Sequence, residues 1–338
     1  MTTDESAQAE AAEKATGAGA SVDSSANPAP GTPGTPAPDN TASPHTSDPG
    51  AAVRRPATSL LTWGTVALVL LVVMVLVVIK VTGTPAPSTP SAVVTPTPAS
   101  PAVVKAVTQI PASVYATVGI KSSVAAITPP AVLHGQPRLD SGGKPELVFV
   151  GNEFCPYCAA ERWALVAALS RFGTFGNTLY ATESGGNEAF PNTPTFTFNG
   201  MRYRSKYLSA TLVEHYGDQK NAAGTAYAVL ERLTPGIKAL IAKYGRQTPG
   251  APGGVFPFID VANQAVVTGG EFSPSILQQL TVDQIASGLS DTKDPATQAI
   301  VASANYLSAA ICQADGETPI RVCGTPGVTA AASALGEP

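Results

Sequence analysis

The sequence predicts an α/β fold, and two observations carry that reading. The first is the stretch Leu147 to Trp163, LVFVGNEFCPYCAAERW. Its opening run Leu147-Val148-Phe149-Val150 is apolar, β-branched and aromatic, as a buried strand is. From Ala159 onward the residues are good helix formers, and the pattern ends at Arg171-Phe172-Gly173 with a basic side chain and a terminating glycine. The second is the alternation further on: β-rich PNTPTFTFNG and MRYRSKYLSATLVE, helical YAVLERL and IKALIAKYG, then β-rich GGVFPFIDVANQAVVTGG.

Cys155 sits where the predicted strand hands over to the predicted helix, and Pro156 takes the first helical position, where its missing N–H costs nothing. At such a helix start, free N–H groups and the dipole favour a thiolate, so Cys155 is expected to be the more acidic thiol. Cys158, one turn further in, is expected to be more buried and to resolve a mixed disulfide formed at Cys155. A structural disulfide or half of a zinc site are the competing readings of a CxxC.

The strand–CPYC–helix arrangement resembles the thioredoxin superfamily, with the Pro156-Tyr157 dipeptide typical of glutaredoxins. The wider sequence, through GNEFCPYCAAERWALVAALSRFG and FPNTPTFTFNG, resembles a family of prokaryotic membrane-anchored proteins with a DsbA-like domain. The resemblance implies a thioredoxin-like fold with a helical insertion, here the stretch 219–245. It also implies a cis-proline beside the CxxC, at the start of a strand whose backbone edge can pair with a substrate peptide. Pro257, within VFPFIDVAN, is followed by a strand and a capped helix and so fits that role; Pro194, within TPTF, competes for it. Phe154, Pro156, Tyr157 and Phe256 would then line the substrate surface. Proteins of this kind carry a buried acid six residues before the first cysteine, a position held here by Phe149. Glu153 can stand in as base, or be a solvated loop residue.

In chain order, residues 1–56 hold few large apolar side chains, with seven acidic residues against Lys14 ahead of Arg54-Arg55, and are expected to be a disordered tail. Leu60 to Ile79 is twenty uncharged residues dense in Val and Leu, enough to cross a bilayer as a helix, so 57–81 is expected to be a transmembrane segment. Arg54-Arg55 before the span outweigh Lys80 after it, placing the N-terminus in the cytoplasm and the rest outside the plasma membrane. All four cysteines come after the span, as an oxidising compartment permits. Residues 82–102 are a Pro/Thr-rich linker, 103–325 the folded domain and 326–338 a flexible C-terminal tail.

Within the domain, VVKAVTQI reads as a short helix stopped by Pro111, then a loosely structured stretch to Pro130. Pro145 opens the strand that leads to Cys155. Asn177 to Thr182 is a strand, and Asn199-Gly200 marks a hairpin between the two β-rich runs around it. Strands are expected at Val255–Val261 and Ala265–Thr268, joined at Asn263. Ser273-Pro274 and Asp294-Pro295 each start a helix, the second running to Cys312. Cys312 and Cys323 bracket a turn-rich loop and read as a structural disulfide that pins the C-terminus, or as a relay for the CxxC.

Composition sets the exclusions. Three histidines, His45, His134 and His215, do not support a multi-histidine metal centre, and no cofactor or metal is expected. A net charge of −4 without a basic patch excludes nucleic acid as a partner. The sequence therefore points to a membrane-anchored thiol-disulfide oxidoreductase acting on cysteine-containing secreted or membrane proteins, and recycled by a quinone-linked thiol oxidase of the VKOR or DsbB kind in the bilayer. The alternative is a non-catalytic thioredoxin-fold envelope protein that binds peptides.

Overall fold

A computed structural model describes residues 71–74, 95–123, 125–221, 223–245 and 255–336. Contacts divide the chain into two units, Met1–Gly83 and Thr84–Pro338. Of the first unit only 71–74 are described, as exposed helix. The expected tail, most of the expected membrane span and most of the linker lie outside the described residues. Among the described residues no helix is long and apolar enough to cross a membrane.

The second unit mixes helix and sheet. It opens with β1 (Thr97–Pro98), α1 (Pro101–Thr108), α2 (Ala112–Val118), β2 (Ala131–Val132) and β3 (Asp140–Ser141). Then come β4 (Lys144–Gly151), α3 (Pro156–Leu169), β5 (Gly173–Phe175), β6 (Tyr180–Glu183), β7 (Pro194–Thr197) and β8 (Tyr203–Ser205). Next are β9 (Ser209–Glu214), β10 (Tyr216–Lys220), β11 (Tyr227–Val229) and α4 (Pro235–Tyr244). The chain closes with β12 (Phe258–Val261), β13 (Ala265–Thr268), a 3-10 turn at Pro274–Ile276, α5 (Val282–Gly288), α6 (Pro295–Asp315), α7 (Ile320–Cys323) and α8 (Pro326–Leu335).

The central sheet is built on β4. β9 runs parallel to it, with Glu146 opposite Ser209 and Gly151 opposite Glu214. On the other edge β12 runs antiparallel, Phe258 opposite Val150, and β13 and β2 continue the sheet outward. Successive side chains of a strand point to opposite faces, and here both faces are apolar. Leu147, Phe149, Ile259, Val261 and Val267 join a core with α3 and α6, whereas Val148, Val150, Phe258 and Val266 join Ile237 and Tyr244 of α4 on the other. A sheet covered on both sides has no solvent face for polar residues, which is why Leu147 to Val150 reads as a continuous apolar run. Helix α3 lies within the larger core: from Ala164 to Leu169 its residues have no exposed surface. Trp163, fully buried, has its indole N–H satisfied by the Pro194 carbonyl at 2.9 Å, which removes the cost of burying a donor.

Several expectations are corrected. The stretch after Pro111 is not loose, since Ala112–Val118 is helical and buries Val114 and Tyr115. The linker ends early, because Thr97 and Pro98 pair with Ala181 and Tyr180 of β6. Among the described residues of 219–245, helix is confined to α4: YAVLERL supplies β11, paired with β10 across a turn at Gly224, where φ is +68°. β-branched and aromatic side chains on a hairpin outweigh the weak helical pattern there. The runs flanking Asn199-Gly200 do not pair with each other; β7 joins β6, and β8 joins β5. Ser273-Pro274 starts only a 3-10 turn, and α5 begins at Val282 behind a Thr281/Gln284 capping box. The expected flexible tail 326–338 is instead largely α8, which buries Val328 and Ala331.

Candidate active site

β4 ends at Gly151, where a Cβ would stand 2.5 Å from Phe149 Cζ and 3.2 Å from Glu214 Oε2, so a side chain there would require the buried Phe149 ring to shift. The chain then passes through Asn152, Glu153 and Phe154 into α3. Cys155 is the N-cap of that helix, with extended backbone (φ −77°, ψ 119°), and Pro156 comes next at N1. The Cys158 N–H donates to Cys155 Sγ at 3.3 Å. Sulfur thus occupies the position in which a serine or aspartate oxygen usually satisfies an orphan helix N–H.

The two sulfurs stand in unequal surroundings. Both cysteines are free thiols; Cys155 keeps 7% of its surface open, whereas Cys158 is sealed at 0%. The Cys155 pKa is lowered, chiefly by its hydrogen bond with the Cys158 thiol; burial opposes this, and the Cys158 backbone N–H and the Arg162 charge add to it. The Cys158 pKa is pushed well up, first by burial and then by Cys155, with Arg162 and the Asn152 backbone pulling the other way. Cys155 is therefore the more acidic and the more accessible of the two thiols.

The expected substrate-lining residues gather around Cys155. Phe256 presents its carbonyl 4.0 Å from Cys155 Sγ. The Phe256–Pro257 peptide is cis; among the described residues the other cis peptide is Thr318–Pro319. Pro194 opens β7 instead, with its carbonyl turned to Trp163. Phe154 stacks face to face on Tyr227 of β11, ring centroids 3.8 Å apart and planes within 7°. Tyr157 meets Phe190 edge-on at 5.7 Å. Behind Tyr157 lies Gly270, at φ +82°, where a side chain would touch Tyr157 Cβ and its carbonyl at 3.6 Å.

Glu153 is not a solvated loop residue. It is 7% exposed and accepts a hydrogen bond from Thr197 Oγ1 at 2.5 Å. Burial raises its pKa, against the pull of Thr197 and Arg162 and with the help of Glu214 and Asp218. It lines a cleft of about 430 Å³ with Thr197, Asn199, Asp218 and Tyr180. The site also holds charges that sequence reasoning does not find. Arg162 on α3 and Glu214 at the end of β9 form a bidentate ion pair, Nε–Oε1 2.7 Å and Nη2–Oε2 2.6 Å, with both side chains fully buried. Arg162 Nη2 also donates to the Asn152 carbonyl at 3.0 Å. Burial is the largest influence and works against the Arg162 charge, but the charge and hydrogen bond of Glu214, with Cys158 and Glu153, together outweigh it and keep the guanidinium protonated. The signal present in the sequence is a charge at the end of the apolar strand SATLVE and another inside the apolar helix AAERWALVAAL.

Cys312 and Cys323 form a disulfide between α6 and α7, with Cα atoms 5.7 Å apart. Glu317 lies close enough to both sulfurs to share an ion with them, but sulfurs bonded to each other are not thiolate ligands. His215 is spoken for, its Nδ1 being 2.8 Å from the Glu231 carbonyl oxygen.

A family model described as Domain of unknown function (DUF929) matches residues 134–313, more than half of the chain and all of the stretch from β3 through the CPYC segment to β13. None of the curated proteins and none of the solved structures compared with the chain matches it.

Proposed function

The chain belongs to the DUF929 family, and from the geometry of its cysteine pair we propose that it is a thiol-disulfide oxidoreductase with a thioredoxin-like domain. The observation that carries the reading is the placement of Cys155: a helix-capping sulfur that accepts the Cys158 N–H and keeps an open edge, above a sealed partner thiol one turn away. Cys155 would attack, or be attacked by, a client sulfur, and Cys158 would resolve the mixed disulfide. The strand order β9-β4-β12-β13, with one parallel pair and an antiparallel hairpin behind it, supports the thioredoxin-like reading. So does the position of the CxxC at the β4-to-α3 junction.

Clients in this reading are cysteine-bearing secreted or membrane proteins, bound along the Phe256–Pro257 edge and against Phe154, Pro156 and Tyr157. The chain would be anchored in the plasma membrane by residues 57–81, with the cysteines outside and a quinone-linked membrane oxidase restoring the disulfide. The twenty uncharged residues Leu60 to Ile79 support the anchor, and the Cys312–Cys323 disulfide supports an oxidising compartment.

The full chain in detergent should reduce insulin or refold a scrambled disulfide substrate, and Cys155→Ser should abolish the activity. Undiminished turnover by that variant would remove Cys155 from the role. Extraction at alkaline pH and protease accessibility of intact cells test the anchor and its orientation separately.

A further inference from the structure

The Arg162–Glu214 ion pair is placed and bonded in a way that the fold alone does not require. Arg162 lies four residues after Cys158 on α3, and residues four apart on a helix stack on one face. The guanidinium is therefore the next layer beneath the sealed sulfur. Two of its nitrogens are committed, Nε and Nη2 to Glu214 and Nη2 also to the Asn152 carbonyl. Its third, Nη1, is buried with no hydrogen-bond partner among the described residues. A buried donor on a fixed cation is costly to leave unmatched, and the group on this face that gains a negative charge during disulfide exchange is Cys158. The Asn152 carbonyl ties the same arginine to the active-site turn, since it also accepts the Cys155 N–H at 3.1 Å.

We propose that Arg162, screened by Glu214, is a positioning residue for Cys158: its unmatched, buried N–H edge stabilises the resolving sulfur as an anion at the moment of attack. The proposal rests on the oxidoreductase reading above. In the step concerned, Cys155 is joined to a client sulfur. Cys158 loses its proton to solvent and its thiolate attacks Cys155 Sγ. The Cys155–Cys158 bond forms, the bond to the client sulfur breaks, and the client leaves as a thiolate that takes a proton from solvent. In this direction the dithiol gives two electrons to the client disulfide; in reverse, the direction a membrane oxidase sustains, a client thiolate attacks Cys155 Sγ, the Cys155–Cys158 bond breaks and Cys158 departs as the same anion.

Cys158 is the difficult partner in this sequence because water reaches none of it, and an unassisted thiolate in such a place is strongly disfavoured. Arg162 lowers that barrier, while Cys155 raises it. Glu214 sets the gain: as countercharge it keeps the guanidinium from over-stabilising the thiolate and keeps the ground state near neutral. Glu153, at the cleft wall, is the further acid that the Arg162 charge reaches. A purely structural ion pair would hold α3 to β9 and nothing more. The two roles therefore part when Glu214 alone is neutralised, because only the electrostatic one moves the Cys158 pKa downward.

The test uses the full chain in detergent with two variants, Glu214→Gln and the double variant Arg162→Gln/Glu214→Gln. The Cys158 pKa is read from thiolate absorbance in a Cys155→Ser background, and the resolving step from release of thionitrobenzoate preloaded on Cys155. Glu214→Gln should lower the Cys158 pKa and speed release at about pH 7 by several-fold. The double variant should raise the pKa and slow release roughly tenfold or more, since one pKa unit is about a tenfold change in thiolate at fixed pH. The deficit should close as the pH approaches the shifted pKa. Arg162→Lys, which keeps the charge, should retain most of the wild-type rate. An unchanged Cys158 pKa in Glu214→Gln, or a change of the same sign in both variants, overturns the role. If the double variant does not fold, the sign in Glu214→Gln decides alone. Insulin turnover by the wild type reports on the oxidoreductase reading independently: its absence, with the Glu214→Gln shift intact, would sink that reading and leave the electrostatic coupling standing.

Discussion

The amide of Cys158 donates to the sulfur of Cys155 across 3.3 Å, and the two cysteines diverge in acidity around that bond, Cys155 downward and Cys158 upward. Reactivity toward an alkylating agent should show the same split. At about pH 6 to 7, where an ordinary thiol with a pKa of about 8.5 is scarcely ionised, iodoacetamide should modify Cys155 at least tenfold faster than Cys158. Peptide mapping after a short exposure checks this. Equal labelling of the two cysteines would contradict the assignment of attacking and resolving roles.

Buried acids make stability depend on pH. Glu161 and Glu271 are sealed against each other, the Glu271 N–H donating to Glu161 Oε2 at 3.0 Å. Burial raises both pKa values, Glu271 well above the usual range and with the Glu161 charge adding to it. Asp260 is pushed up to about 6, first by burial and then by Glu146, despite the N–H of Asn263. A carboxyl whose folded pKa lies above its unfolded value binds its proton more tightly when folded, so its contribution is complete below the unfolded pKa and is lost as pH rises through the folded one. Urea unfolding should therefore show stability falling between about pH 4 and pH 7. Asp260→Asn should remove up to about 3 kcal/mol of that total change. A flat profile for the wild type would refute the linkage.

Much of the fold was legible in the sequence because local chemistry and tertiary structure agree there. Leu147 to Val150 is a strand that leads to a helix starting at Pro156, and Asp294-Pro295 caps and starts a helix in both readings. The sequence failed where pairing is decided at a distance. Nothing local reveals that Tyr203 to Ser205 will pair with Gly173 to Phe175 rather than with the strand beside it. Tyr227 lies in a stretch with helical spacing, yet its ring is held on Phe154 and its backbone on β10. Arg162 and Glu214 lie 52 residues apart, so each reads as an isolated charge until the parallel register of β4 and β9 brings Glu214 beside Gly151.

The disulfide between α6 and α7 closes a short loop, Cys323 following Cys312 at a sequence separation of 11. On the chain-entropy model, removing such a link costs roughly 2–3 kcal/mol. Cys312→Ser/Cys323→Ser should lower the thermal midpoint by that equivalent while Cys155 keeps its reactivity toward iodoacetamide and its activity on a disulfide substrate. Loss of activity in a folded double variant would make the pair a relay and not a staple.

Gly270 offers a way to disturb the CPYC turn from behind without touching a cysteine. Its φ of +82° is in the region that glycine occupies freely and that costs an L-residue about 1–2 kcal/mol. The space is ordinary, with Tyr157 Cβ, Cδ1 and carbonyl oxygen each 3.6 Å from where a methyl group would stand, so backbone conformation, not collision, sets the cost. Relief of the strain requires the 269–271 turn to move, and the atoms it rests on belong to Tyr157, one of the two residues between the cysteines. Gly270→Ala should therefore destabilise the protein by about 1–2 kcal/mol and also shift the Cys155–Cys158 equilibrium against glutathione. Gly224→Ala, at φ +68° in the β10–β11 turn with nothing within 4 Å among the described residues, should show a similar stability loss with that equilibrium unchanged. Equal redox behaviour in the two variants would show that the Gly270–Tyr157 contact does not position the CPYC turn.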